Sequence, residues 1–252
     1  MPRVSLPVRL AVLLTVSLGF VGTVLADAPA KPKKDPLERM NRATYRFNDA
    51  LDRHFLRPLA EAYRNRVPEP IRNGLANFVA NIEYTEVILN DTLQLKLKAA
   101  GQDIARVVVN TTLGVGGLGD PASRFGLPVH NEDFGQTLGY WGVPPGPYLV
   151  LPLLGSSDFR DAPSWIADAH AVGERYLDPP GVRWGISGLS VFQIRVQALA
   201  ANEAIDKAFD PYALVRDAYL ARRNYLVHDG NVPNDDGGYD TDYSPAEEAT
   251  VE

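Results

Sequence analysis

From Asp35 onward, apolar residues recur at helical spacing through most of the chain. Leu37, Met40, Tyr45, Phe47, Leu51, Phe55 and Leu59 fall near a 3.6-residue period with arginines and acids between them. This predicts an amphipathic helix, opened by Asp35-Pro36 and broken near Pro58. A second helix runs to about Arg66, where Val67-Pro68-Glu69-Pro70 stops it. A third starts at Ile71 with Leu75, Phe78, Val79 and Ile82 inward, and its pattern continues through Asn90 to Lys98. Ala99 to Leu113 sets Ile104, Val107 and Val108 on one side and reads as helix rather than strand. Further on, Ala162 to Tyr176 predicts a short helix with Trp165 and Ile166 on its apolar side. Asp178-Pro179-Pro180-Gly181 then breaks the chain, and Trp184 sits in a glycine-rich approach to the next helix. That helix, Leu189 to Phe209, carries Val191, Ile194, Ala198, Ala201, Ile205 and Phe209 on one stripe. Asp210-Pro211 opens a last helix, which Asp229-Gly230 ends. With no good hairpin and no internal repeat, the expected fold class is all-α.

One stretch departs from this regularity. Phe134 to Arg160 is strongly apolar through Trp141, Val143, Tyr148, Leu149, Val150, Leu151, Leu153 and Leu154, yet Pro144, Pro145, Pro147 and Pro152 interrupt any helix. Loops normally lie on the wet surface because their backbone groups need partners. An apolar loop is therefore expected either under helices or against something apolar that is not protein.

Composition narrows the class. A chain of 252 residues with 45% hydrophobic content can bury a substantial core. The net charge of −6 argues against a nucleic-acid partner. Residues 1–26 read as an export signal, with Arg3 and Arg9 before an apolar run and Val24-Leu25-Ala26 as a small-residue cleavage pattern. Residues 27–34 form a Lys/Pro linker, 35–229 the helical domain, and 230–252 an acidic tail expected to be disordered. Basic residues outnumber acids between Lys31 and Arg72, an asymmetry that suits either an anionic surface or a solvated helix face. The absence of cysteine removes disulfides, thiolate metal sites and a catalytic thiol.

No catalytic set or cofactor site emerges. Gly114-Val115-Gly116-Gly117-Leu118-Gly119 matches the dinucleotide glycine pattern, but Asp120-Pro121 permits only a short turn before Gly126 and Pro128, so the helix that carries a pyrophosphate is missing. These glycines are assigned to a bend where backbones pack closely or gate a path. His130, Glu132 and Asp133 are the nearest approach to a ligand cluster, without a recognised metal spacing, and no metal is assigned. Ser156, Ser157 and Ser187 lie near glycines but in no nucleophile motif.

Several motifs occur together in a fixed order. They are Asp35-Pro36-Leu37-Glu38, Asn41-Arg42, Tyr45, Phe47-Asn48, Arg57-Pro58, Val67-Pro68 and Arg72 through Phe78, followed by Asn110 through Gly117, Phe134 through Gly139, Gly146-Pro147-Tyr148, Leu151-Pro152 and Asp210-Pro211-Tyr212. In these residues, over roughly Asp35 to Asp229, the chain resembles the MlaA/VacJ family of outer-membrane phospholipid transport proteins.

The resemblance implies a ring of amphipathic helices in the periplasmic leaflet of the outer membrane, with a channel through which misplaced phospholipids leave the outer leaflet. It also implies trimeric porins as partners, transfer to a soluble periplasmic lipid carrier, and no enzymatic step. Family members are typically lipoproteins acylated on a cysteine at the end of the signal. This sequence has an A-x-A site there instead, which leaves attachment to the ring, to porin binding or to an uncleaved signal. Tyr140, Trp141, Tyr148, Leu149, Val150, Leu151, Leu153 and Leu154 are the expected channel or membrane-facing surface. Arg42 and Arg46 are candidates for headgroup phosphate, and Gly114, Gly116 and Gly117 for a bend or gate. A soluble periplasmic lipid-binding chaperone is the alternative, and a lipid hydrolase using Ser156 or Ser157 a third reading.

Overall fold

The computed structural model describes residues 35–171 and 180–232, and apart from Asp35 and the linker side of that boundary these belong to one unit, Pro36–Pro233. The expected signal, linker and most of the tail lie outside the described residues. Helix α1 spans Glu38–Leu51 and passes without interruption into a π-helical turn, Asp52–Leu56, and then α2, Arg57–Arg66. The break expected near Pro58 is thus a widened turn: Pro58 has no N–H to return to the preceding turn, and Arg57 N–H reaches back to the Asp52 carbonyl instead. Helix α3, Glu69–Leu93, takes Pro70 into its first turn.

The pattern expected to continue to Lys98 is broken. Leu95 adopts φ 61°, Lys96 N–H bonds to the Asp91 carbonyl at 2.8 Å, and α4 begins afresh over Leu97–Thr112. This is a left-handed helix ending with leucine at the position glycine usually holds. Short α5, Pro121–Arg124, is capped by Asp120, and α6, Phe134–Tyr140, by Asp133, each carboxylate accepting a backbone N–H three residues on.

Two four-residue strands follow, β1 (Tyr148–Leu151) and β2 (Gly155–Asp158), paired antiparallel with Leu151 opposite Gly155. This hairpin corrects the expectation that none would form. Leu153 (φ 67°) and Gly155 (φ 87°) turn the chain around Pro152. Helix α7, Asp161–Ala171, is followed by α8, Pro180–Ala198, which starts nine residues earlier than the sequence predicts. Gly181, Gly185 and Gly188 sit within α8 with open space where a side chain would be, so they do not force a break. A 3₁₀ turn at Leu199–Ala201 and short α9, Asn202–Lys207, divide the expected long stripe, and α10 spans Pro211–Val227 under its Asp210 cap.

Polar side chains of α1 hold the hairpin in place. Asn41 donates to the Tyr148 carbonyl and accepts from Val150 N–H, both at 2.9 Å. Asn48 donates to the Leu151 carbonyl at 2.9 Å and accepts from Leu153 N–H at 2.8 Å. Seven helical residues rise about 10.5 Å and three extended residues about 10 Å, so two asparagines two turns apart match the backbone groups they serve. On the far side, Tyr148 and Val150 pack with Tyr212 of α10, flanked by Tyr45, Tyr219 and Leu220. Tyr212 meets Tyr45 edge-on at 5.8 Å and Tyr148 at 6.2 Å.

Asn41→Ala leaves a buried carbonyl and a buried N–H without partners, at about 1–3 kcal/mol each. The expected outcome is a loss of about 2–6 kcal/mol in denaturant unfolding. Asn48→Ala, whose partners are less buried, is expected to cost less.

Candidate functional site

The distribution of polarity in this fold runs opposite to that of an ordinary water-soluble domain. The largest side chains that are fully enclosed are Gln94, Gln136, Asn41, Asn90, Thr137, Asp91, Asp103 and Asp158. Helix α4 shows the reason residue by residue. Ala100, Asp103, Arg106 and Asn110 form its inner stripe, while Leu97, Ile104 and Val108 stand 67%, 50% and 54% exposed. The inner groups find partners: Arg106 reaches Asp120 at 3.0 Å and the Leu127 carbonyl at 2.7 Å through its terminal nitrogens, and Asn110 accepts from Ala122 N–H at 3.0 Å. In α7 and α8 the pattern repeats, with Ser164 and Gln193 buried and Trp165, Ile166, Trp184, Val191 and Ile194 exposed. Met40, Phe47, Phe55 and Leu59 continue the apolar surface along α1 and α2. Exposed apolar side chains thus recur on α1, α2, α4, α7 and α8 rather than as scattered single positions.

The elements meet in a closed circuit. α2 packs on α8, α8 on α3, α3 on α6 and α7, α10 on α6 and β2, and β1 on α1. Charged pairs join the successive members. Arg42 grips Asp210 through two hydrogen bonds, 3.0 and 2.6 Å, with its guanidinium 4.4 Å from the Tyr212 ring. Arg57 pairs with Asp206 at 2.8 Å, and Arg195 of α8 pairs with Asp52 of the π turn. Arg223 of α10 binds Asp133 at the start of α6, and Tyr219 donates to Asp161 at 2.8 Å.

These placements divide the residues singled out from sequence. Tyr148 and Val150 are core, Leu149 and Leu151 are half-buried, and Tyr140, Trp141, Leu153 and Leu154 are exposed at 50%, 53%, 65% and 47%. Trp141 donates its indole N–H to the Leu93 carbonyl at 3.3 Å, which fixes the ring at the end of α3. Arg42 is committed to Asp210 and Glu38, whereas Arg46 is exposed and forms no ion pair among the described residues. Glu132 is bound to Gln94 and Lys96 and Asp133 to Arg223, while His130 meets Asp103 at 3.0 Å. Ser156 bonds the Tyr148 hydroxyl at 2.8 Å and Ser157 is buried against the Asp158 carbonyl; among the described residues neither meets an imidazole.

The glycine bend is tightly packed. A Cβ on Gly114 would lie 2.3 Å from the Asn110 carbonyl oxygen and 2.5 Å from that of Gly119. Gly117, at φ 91°, presses on Asn81, while Gly116, at φ 69°, faces open space. Backbone bonds from Gly116 to Thr111 and Gly117 to Asn110, both 3.0 Å, end α4 here.

Burial dominates the electrostatics of the interior. It pushes the Glu86 carboxyl up to about 9, with the charges of Asp168, Asp133 and Glu83 adding to the effect. It raises Asp168 to about 6 despite a hydrogen bond from Phe134 N–H. Burial alone would raise Asp133 too, but the Arg223 guanidinium more than offsets it and holds this carboxyl below its usual range.

Sequence reasoning missed Asn41, Asn48, Asn90, Asp91 and Asp103 as interior groups. A signal was present: Asp103, Arg106 and Asn110 repeat at three- and four-residue intervals, which puts them on one helix face.

Comparison with known proteins agrees with this arrangement. The family model described as MlaA lipoprotein matches residues 33–226. The chain belongs to the MlaA lipoprotein family. The intermembrane phospholipid transport system lipoprotein MlaA of Escherichia coli (strain K12) is 35% identical over 230 residues, 89% of this chain and 90% of that protein. Its counterpart from Haemophilus influenzae is 32% identical over 209 residues, covering 79% and 82% of the two chains. A solved structure described as the structural basis for maintenance of bacterial outer membrane lipid asymmetry superposes with a TM-score of 0.69 at 35% identity. It covers 77% of this chain and 100% of that one. The MlaA-like helical fold expected from the motifs is therefore present, with the hairpin as its one sheet among the described residues.

Two predictions follow from the packing and the charges. Gly114→Ala forces a backbone clash and is expected to lower the melting temperature sharply. Gly116→Ala meets only the cost of a left-handed residue, about 1 kcal/mol. For pH, the folded-state values of Glu86 and Asp168 lie above ordinary carboxylate values. Their contribution to stability is complete below about pH 4 and is lost as pH rises through about 6 and then about 9. Glu86→Gln is expected to remove the alkaline part of that loss, read as melting temperature between pH 7 and 10.

Proposed function

We propose that the protein works in intermembrane phospholipid transport, removing misplaced phospholipid from the outer leaflet of the outer membrane and so maintaining its lipid asymmetry. The observation that carries this reading is the inverted polarity, apolar side chains outside and a polar, largely hydrogen-bonded interior. Exposed side chains on a closed circuit of helices have two destinations, the outer wall and the lumen. In this reading both meet acyl chains.

Among the described residues no helix is long and apolar enough to cross a membrane. The protein is accordingly assigned to one leaflet, on the periplasmic side, where the exterior of α1, α2, α4 and α8 buries apolar area at about 25 cal/mol per Å². Retention at the membrane is ascribed to this surface. Tyr140, Trp141, Leu153 and Leu154 are assigned to lipid contact, Leu149 and Leu151 to its edge, and Tyr148 and Val150 to the packing that positions them. Arg46 takes the headgroup phosphate, since Arg42 is occupied. The bend at Gly114, Gly116 and Gly117 gates the path, with a trimeric porin beside the ring and a soluble periplasmic carrier receiving the lipid. No bond is made or broken, so no catalytic residue is required.

Membrane fractionation tests the reading. The wild-type protein is expected to remain with outer membranes after carbonate washing and to carry phospholipid by mass spectrometry when purified in detergent. Phe47→Asp with Phe55→Asp is expected to shift most of it to the soluble fraction. A wild-type protein that purifies without detergent as a lipid-loaded monomer would instead establish the soluble chaperone, and one that carries no lipid would overturn both.

A further inference from the structure

Among the described residues, the buried carboxylates Asp91 and Asp103 lie together, with one imidazole, that of His130, beside them. Asp91, in the last turn of α3, and Asp103, on the inner stripe of α4, are both 0% exposed. Neither oxygen of Asp91 has a hydrogen-bond partner. Asp103 faces His130, whose Nδ1 lies 3.0 Å from both of its oxygens. One donor atom from each of Asp91, Asp103 and His130 falls within 4.8 Å of the others, close enough for a single ion to touch all three.

Nearby positive charge is already spent. Lys96 is bound at 2.9 Å by Glu132 and is also paired with Asp229, so it does not neutralise the aspartates. An ionised carboxylate taken from water costs several kcal/mol unless paired. Two facing each other cost more, and burial together with Asp103 pushes the Asp91 carboxyl up to about 8. An open cleft of about 600 Å³, lined in part by Asp91, Lys96, His130 and Glu132, leads to this point from solvent.

We propose that Asp91, Asp103 and His130 form a divalent-metal site that ties the end of α3, the inner face of α4 and the loop before α6 together. One imidazole nitrogen and two carboxylates are the donor set of a borderline cation such as Zn²⁺ rather than of an all-oxygen Ca²⁺ site. The cleft leaves room for a water as the remaining ligand. The three residues come from segments separated by 12 and 27 positions, which is why no ligand spacing is visible along the chain. The ion joins the two helices across the left-handed residue Leu95, where the backbone is least regular. It acts as a structural staple, separate from the apolar surface assigned to lipid, and does not depend on that assignment.

The test uses the full-length chain in detergent, purified without chelator. Metal content by mass spectrometry is expected to approach one equivalent. After EDTA stripping, Zn²⁺ at 100 times its dissociation constant is expected to raise the melting temperature by about 5–10 °C. Asp91→Asn and Asp103→Asn are expected to stay folded by circular dichroism and to lose Zn²⁺ affinity by at least about 100-fold. His130→Gln, at a half-exposed position, provides the same readout should an aspartate variant fail to fold. Two results overturn the proposal. In one, Zn²⁺ neither binds nor stabilises the wild type while Asp91→Asn is at least as stable, which means the pair shares a proton. In the other, Zn²⁺ binding survives all three substitutions, which means it is adventitious.

Discussion

Everything in this structure follows from the need to satisfy polar groups from within. When the exterior of a fold is apolar on most of its helices, water is not at hand to pair backbone or side-chain donors, and each buried polar atom must find a protein partner. The chain meets most of this demand with asparagine, glutamine, aspartate and arginine at positions where a water-soluble helix would carry leucine, the oxygens of Asp91 being the main exception. Asn90, Gln94, Thr137 and Glu132 form one connected set, and Asp133, Arg223, Asp161 and Tyr219 another. Such networks are directional. They specify one arrangement of helices where interchangeable apolar contacts would permit several.

The hairpin is the plainest case. Two strands of four residues are marginal by themselves. Here Asn41 and Asn48 present amide groups that stand in for a third strand, and Tyr212 closes the other side. Pro144, Pro145, Pro147 and Pro152 can then occupy an apolar segment, because neighbouring donors and acceptors are met by the β1–β2 ladder, by Phe159 and Arg160 N–H on the Pro147 and Pro145 carbonyls, and by Asn41 and Asn48.

This explains what the sequence made legible. The helix start at Asp210-Pro211, the stop at Val67-Pro68 and the short turn at Asp120-Pro121 are local events, governed by a cap or a proline within a few residues, and they occur where expected. The hairpin was not legible, since β2 reads Gly-Ser-Ser-Asp and its support lies about 105 residues away on α1. Nor was the break at Leu95, where a leucine takes a conformation usually left to glycine. The apolar stripes were found correctly as stripes, but periodicity alone does not say which side faces the protein. In α4 the answer lay in the opposite stripe, because Asp103, Arg106 and Asn110 can be buried only together.

The Arg42–Asp210 clasp spans 168 positions, joining the first helix to the cap of the last. Closing so long a loop is entropically slow, and the contact cannot form until nearly the whole domain has been synthesised. Until residues 148–158 are made α1 lacks its hairpin, and until Asp210 is made Arg42 lacks its partner. The order of synthesis therefore makes α1 the longest-waiting of the described helices, held open until the last of them supplies its clasp.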